Sequence, residues 1–289
     1  MEDCAFPPTT VETPAKLNLI LKVVGKRGDG YHDLFSLMVP INLVDRLTFL
    51  SGPPGIHLTC HGIPVPDNES NLVVRAAKTF FSRIGRNPSL VMSLAKNIPV
   101  AAGLGGGSSD GAATLKVLNK LYGEPLDADG LAETALTLGA DVPFFLYNLP
   151  SIARGVGERL EPIPAWPEYW YVIVTPPVSV STAWVYNNLK LELTTSKNDY
   201  IVNPLRKDWS AIGTVLENDL ETVTTARYPV IKSIKKAFVE AGADGALMSG
   251  SGPSVFGVFR SEEAARRAER YISSRVEGRV FLAGQFKEE

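Results

Sequence analysis

The stretch Ile98-Pro99-Val100-Ala101-Ala102-Gly103-Leu104-Gly105-Gly106-Gly107-Ser108-Ser109-Asp110 constrains this chain more than any other. Glycines crowd between small apolar residues and two serines. Gly111 to Tyr122 then takes up helical spacing, with Leu115, Leu118 and Tyr122 along one side. The glycines therefore stand at the start of a helix, for which Ser108 or Ser109 is the expected N-cap. Glycine reaches backbone angles that side chains forbid and lets the main chain come close to a ligand. At a helix N-terminus such a loop gathers free N–H groups where the helix dipole already favours an anion. The pattern predicts a phosphate cradle; a tight connection without a ligand is the plain alternative. Two common nucleotide loops do not fit. No lysine follows Gly107, so G-x-x-x-x-G-K-[ST] fails, and Ser108 stands where G-x-G-x-x-G needs its third glycine.

Composition then excludes partners. A chain of 289 residues leaves room for about two domains. With 45% hydrophobic and 21% charged residues it can bury a sizeable core. A net charge of −2 argues against nucleic acid or a membrane surface as the main partner. Cys4 and Cys60 make no disulfide framework, which fits a reducing cytosol. Met1 to Thr13 lacks the apolar core of a signal peptide, and the uncharged run Tyr169 to Leu189 is broken by Pro176-Pro177. A cytoplasmic protein is expected.

Along the chain, Lys16 to Val24 alternates as a strand, with Leu17, Leu19 and Leu21 on one face and Lys16 and Asn18 on the other. A lysine there ordinarily points to water at a strand edge. Phe35–Val39 and Leu43–Leu50 read as two strands, and Leu90–Leu94 as a third leading to the glycine loop. Lys96, just before that loop, reads by default as solvated. His57, Cys60 and His61 lack a fourth neighbour for zinc, and alternation splits them between faces, so no metal site is expected. Asn71 reads as the cap of a helix through about Arg83, and Asp127 to Leu138 as another helix closed by Gly139. Asp141 sits inside an apolar segment, so it is either exposed at a turn or compensated by a cation or hydrogen-bond donor, for which Lys16 is the nominated partner. Pro162, Pro164 and Pro167 mark a linker. Beyond it come a strand over Tyr169–Thr175, a helix to about Lys190, a loop over Asp199–Pro204, a helical region holding Asn218-Asp219-Leu220-Glu221, a strand–glycine turn–strand from Gly242 to Val258, a helix over Glu262–Ile272 and a last strand over Arg279–Leu282.

Pro99, Gly103, Leu104, Gly105, Gly106, Gly107, Ser108 and Ser109 resemble the central motif of the GHMP kinases, P-x-x-x-G-L-G-[SG]-S-S. Pro14-Ala15-Lys16-Leu17-Asn18 is similar to that family's first motif, and Gly242-Ala243-Asp244-Gly245-Ala246 through Ser249-Gly250-Ser251-Gly252-Pro253-Ser254-Val255 to its third. The resemblance implies an α+β chain with a two-domain GHMP kinase fold: an N-terminal nucleotide-binding α/β domain with a mixed sheet over residues 1–161, a C-terminal ferredoxin-like α+β domain over 162–289, and an active site in the cleft. It implies an ATP-dependent small-molecule kinase that uses Mg²⁺. In that reading the loop and Lys96 serve the nucleotide, and Lys16 and Asp141, in Gly139-Ala140-Asp141-Val142-Pro143-Phe144-Phe145, are catalytic. Asn18, Tyr31, His32, Thr182 and Asp141 hold the substrate. Arg27-x-Asp29-Gly30-Tyr31-His32 resembles the isoprenoid branch whose alcohol carries a cytidine diphosphate; there the tyrosine stacks on the base and the histidine reads its edge. No metal-ligating side chain is assigned, and a monomer or weak homodimer is expected. Other GHMP kinases (mevalonate, homoserine or sugar) and a non-catalytic nucleotide-binding member are the alternatives.

Overall fold

The computed structural model describes residues 6–189 and 209–288. By contacts the chain divides into two compact units that interleave in sequence. The first comprises residues 1–15, 44–100 and 105–148, and the second comprises 16–43, 101–104 and 149–289. A single cut at 161/162 groups the chain differently. The reason is that the two opening strands, β1 (Thr9–Lys26) and β2 (His32–Ser51), are long enough to serve both units. Where two shorter strands were expected over Phe35–Leu50, β2 runs straight through Pro40. That residue has no N–H to donate, and its carbonyl accepts the Phe286 N–H at 3.0 Å.

In the first unit the C-terminal part of β2 pairs antiparallel with β4 (Ser89–Lys96), in the register Arg46↔Ala95 to Ser51↔Leu90. β3 (Gly55–Gly62) lies parallel on the other side of β4. β4 alternates strictly, burying Leu90, Met92, Leu94 and Lys96 in turn. On this layer α1 (Leu72–Ile84) packs against β3, and α2 (Gly106–Leu121), α3 (Ala128–Leu138) and the short α4 (Val142–Tyr147) pack with it and with one another. Local chemistry sets the helix ends as expected. The Asn71 side chain accepts from Val73 N–H at 2.9 Å and Asp127 from Gly130 N–H at 2.9 Å, while Gly85 closes α1 in the left-handed region.

In the second unit β5 (Ser151–Gly155) joins β2 and turns back as β6 (Arg159–Pro162). Its other sheet is antiparallel, in the order β11-β7-β10-β9, with β7 at Trp170–Thr175, β9 at Gly245–Met248, β10 at Val255–Phe259 and β11 at Arg279–Ala283. That is the split β-α-β arrangement of a ferredoxin-like layer. The helices α5 (Thr182–Asn188), α6 (Leu220–Arg227), α7 (Val230–Glu240) and α8 (Glu262–Ser273) accompany it. Val172, Val174, Ile231, Ile234, Phe238 and Phe259 lie in one apolar core with Leu21 and Val23 of β1. The loop expected over Asp199–Pro204 and the helix end at Lys190 fall outside the described residues.

Candidate active site

The first half of the glycine loop belongs to the second unit, where it rests on the turn between β9 and β10. Ser249 Oγ donates to Gly103 O at 2.9 Å, and the Ser254 N–H reaches Ala102 O at 3.3 Å. Gly103 has φ +76, and a Cβ there would meet Ser249 O at 2.0 Å, so only glycine fits. Leu104 O accepts the Lys16 backbone N–H at 2.9 Å. This places Lys16 of β1 beside the loop. Its ammonium donates to Asn18 Oδ1, and the Asn18 amide donates onward to Ser36 Oγ at 2.9 Å. Lys16 and Asn18 do share a face, but that face is buried and not open to water; the strand is covered on both sides, which alternation alone cannot report.

Sequence reasoning left Asn218-Asp219-Leu220-Glu221 without a role. Asn218 is not helical: Glu217–Asn218 forms β8, a short strand parallel to β1 in the register Ile20↔Glu217. Its amide donates to Met248 O at 2.7 Å and Gly250 O at 2.8 Å. Asp219 accepts the Val23 N–H at 2.8 Å, and Glu221 accepts the Met248 N–H at 2.9 Å. The motif thus ties β1 and the β9–β10 turn together. A polar triplet at a helix start was the available signal, but its partners are distant in sequence.

The second half of the loop begins α2 in the first unit. The cap is Gly105 in the left-handed region (φ 73), and no side chain caps it. Ser108 and Ser109 lie inside the first turn, so neither is the N-cap: the glycines wind into helix one turn earlier than capping chemistry suggests. Helix geometry leaves the N–H groups of Gly106, Gly107 and Ser108 without intrahelical acceptors. The Ser109 hydroxyl is buried and has no hydrogen-bond partner, an arrangement that ordinarily costs about 1–3 kcal/mol. A phosphate oxygen is a fitting acceptor for it.

Beneath this turn lies a cluster that the sequence did not disclose. Lys96 is not solvated: it is 4% exposed and pairs with Asp45 and with Asp110 Oδ2, the latter at 2.7 Å. Thr13 Oγ1 donates to Asp110 Oδ1 at 2.7 Å. Asp45 Oδ1 also accepts the Asn97 and Ile98 N–H groups at 2.5 and 2.8 Å, fixing the bend into the loop. Burial pushes the Asp110 carboxyl up to about 6, against the pull of Lys96, and Asp45 adds to the rise. Burial alone would lower Lys96, yet Asp110 and Asp45 outweigh it and the ammonium is held more tightly than usual. Both groups bind a proton more tightly than usual for one reason: the trio, when both carboxylates are ionised, carries one positive and two negative charges in a dry place. A signal did exist, because Lys96 shares the inward parity of Leu90, Met92 and Leu94, and Asp45 that of Leu47 and Phe49.

Tyr31 is 61% exposed, and its N–H donates to Asp29 Oδ1 at 3.0 Å. His32 stacks on Tyr186, ring centres 5.2 Å apart and planes at 27°. Partial burial, then Lys26, lowers its pKa, so the ring is neutral at pH 7 with one donor and one acceptor nitrogen. Thr182 opens α5 and shares a hydrogen bond with Ser251 Oγ at 2.8 Å. Asp141, partly buried, stands at the N-cap of α4 without capping it, where the dipole favours an anion. Asp141 belongs to the first unit and Lys16 to the second.

Known proteins resemble this chain along most of its length. Residues 71–148 match the GHMP kinases N terminal domain and 201–278 the GHMP kinases C terminal domain. The 4-diphosphocytidyl-2-C-methyl-D-erythritol kinase of Geobacter metallireducens is 48% identical over 266 residues, which cover 92% of this chain and 94% of that protein. Its counterpart from Syntrophotalea carbinolica is 46% identical over 270 residues, 93% of this chain and 95% of that protein. A crystal structure of 4-(cytidine 5'-diphospho)-2C-methyl-D-erythritol kinase matches with a TM-score of 0.81 at 35% identity, over 97% of this chain and 100% of that one. A homoserine kinase from Cytophaga hutchinsonii matches with a TM-score of 0.76 at 22% identity, over 99% and 96% of the two chains; that likeness is one of fold.

Proposed function

This chain belongs to the GHMP kinase family, together with the 4-diphosphocytidyl-2-C-methyl-D-erythritol kinases, and from that premise we propose how its residues carry the reaction. It is an ATP-dependent kinase that phosphorylates the 2-hydroxyl of 4-diphosphocytidyl-2-C-methyl-D-erythritol in the non-mevalonate isoprenoid pathway. The hydroxyl oxygen bonds to the γ-phosphorus, the bond from that phosphorus to the bridging oxygen breaks, and ADP leaves.

The α2 N-terminus holds the phosphates in this reading, and the orphaned Ser109 hydroxyl is the observation that carries it. The free N–H groups of Gly106, Gly107 and Ser108 offer their dipoles to the anion, with Gly103 and Gly105 shaping the loop, Pro99 fixing its entry and Leu104 anchoring it beside Lys16. The phosphate oxygens would carry Mg²⁺, whose chemistry is to neutralise their charge. Asp141 orients the hydroxyl and accepts its proton, and Lys16, steadied by Asn18, offsets charge on the moving group. Tyr31 offers an exposed ring to the cytosine, the neutral His32 reads its edge, and Thr182 contacts the diphosphate alcohol. The boundary at 161/162 is proposed as the division between the two family domains. Mevalonate and homoserine kinases match at only 16% and 22% identity, so they support the fold and not an alternative substrate. The protein is proposed to work in the cytoplasm, as a monomer or weak homodimer; among the described residues no helix is long and apolar enough to cross a membrane.

The test is ADP release with a panel of alcohols, where turnover confined to the cytidine diphosphate alcohol is expected and a preference for mevalonate or homoserine would overturn the assignment. With that substrate, Asp141→Asn should lower kcat by about 10²–10⁴-fold; a near-normal rate removes Asp141 from the chemistry. Tyr31→Ala should raise KM for the cytidine substrate about tenfold through lost stacking while leaving KM for ATP unchanged.

A further inference from the structure

Lys96 cannot offer its ammonium to a nucleotide while two carboxylates hold it, and this redirects attention to what the cluster does for the loop. Asp45 grips the entry of the loop through the Asn97 and Ile98 N–H groups and grips Lys96 with its other oxygen. Lys96 in turn holds Asp110, the fifth residue of α2, just past the loop's exit. The ammonium lies directly under the glycines: a Cβ on Gly106 would stand 2.9 Å from Lys96 Nζ. The groups facing Asp110 are Lys96 from β4, Asp45 from β2 and Thr13 from β1; from α1, Leu72 packs on the neighbouring Gly107 and Gly111, and the Cys60 thiol of β3 senses both Asp110 and Lys96. With both carboxylates ionised the cluster is net negative, directly beneath a turn built to receive an anion. Adding one proton makes it neutral.

We propose that Lys96, Asp45 and Asp110 form a proton-linked clamp of the phosphate loop, in which the arrival of a nucleotide triphosphate drives uptake of a proton onto Asp110. This rests on the loop being the triphosphate site. Phosphate charge above the turn and carboxylate charge below it repel through a few ångströms of poorly screened protein, so the bound state prefers Asp110 neutral. The proton comes from solvent and goes to a carboxylate oxygen; no bond to phosphorus is involved. Lys96 and Asp110 are positioning residues: they act on the nucleotide through the loop backbone.

The experiment is calorimetric titration of the full-length protein with a non-hydrolysable ATP analogue and excess Mg²⁺, at pH 7, in buffers of differing ionisation enthalpy. The expected result is uptake of about half a proton by the wild type and distinctly less by Asp110→Asn, whose subtraction removes any contribution from the phosphate itself. KM for ATP in the wild type should fall several-fold from pH 8 to pH 6 and be flatter in the variant. If Asp110→Asn does not fold, infrared difference spectra of the wild type serve: the carbonyl stretch of a protonated carboxylic acid should grow as the analogue binds, and its absence overturns the proposal. Equal uptake by wild type and variant also overturns it. Absence of nucleotide binding in every arm instead overturns the loop's assignment as the triphosphate site.

Discussion

Two polar interiors support the two halves of the glycine loop, and they are built from different chemistry. In the second unit the bonds that reach Gly103 and the carbonyls of the β9–β10 turn come from neutral amides and hydroxyls, Asn218 to Met248 and Gly250 and Ser249 to Gly103. Asp219, Glu221 and Lys16 flank them from the partly buried edge and from β1. In the first unit the start of α2 is held by Lys96 between Asp45 and Asp110. Neutral groups fix geometry and are indifferent to pH. A buried odd-numbered set of charges fixes geometry too, but it also stores a charge imbalance that a proton can relieve. The same loop is thus anchored rigidly at one end and responsively at the other.

Three substitutions test that contrast, beginning with the largest effect. Lys96→Met leaves two carboxylates buried without their cation and should destabilise the fold by about 3–5 kcal/mol in urea unfolding at pH 7. The loss should shrink at pH 5, because a protonated Asp110 no longer needs the ammonium. A loss independent of pH would place Lys96 with the neutral anchors. Asn218→Ala leaves two buried carbonyls without a donor and should cost about 1–3 kcal/mol, the same at pH 5 and pH 8. A strong pH dependence there would erase the distinction between the two interiors.

The smallest effect concerns Asp110 alone. Its folded pKa, about 6, lies above the unfolded value of 3.8, so the folded state keeps its proton while the unfolded chain has lost it. The resulting stabilisation is fully present below the unfolded value and is lost as pH rises through about 6. On lowering pH from 7 to 5, the wild type should therefore gain about 1 kcal/mol relative to Asp110→Asn in paired urea titrations. A constant difference between the two proteins would show that Asp110 does not titrate in that window.

Much of the architecture was legible in advance. The helices capped by Asn71 and Asp127, the strand–turn–strand around Ser249-Gly250 and the terminal strand of the second half stand where the pattern predicts them. The places where the pattern failed share a cause. Ser108 and Ser109 have cap chemistry, but three glycines ahead of them let the helix begin at Gly106. Asn218 looked like part of a helix because nothing near it in sequence reveals the β1 edge it pairs with. Lys16 and Lys96 looked solvated because isolated lysines usually are, whereas Lys16 sits on a stretch of β1 buried on both faces and Lys96 on the buried face of β4.

From the sequence by itself come the glycine loop and its anion-ready helix, the family likeness, and the residues proposed to handle a phosphoryl group and a base. Those depend on spacings of a few residues, over which backbone angles and caps are decided by near neighbours. Only the tertiary structure decided that Lys96 meets Asp45, 51 residues away, and that Asp110 meets Thr13, 97 residues away. Strand pairing brings those groups together, and pairing partners leave no mark on the local pattern. Whether a charge is solvated or buried, and so what proton it holds, follows from that pairing.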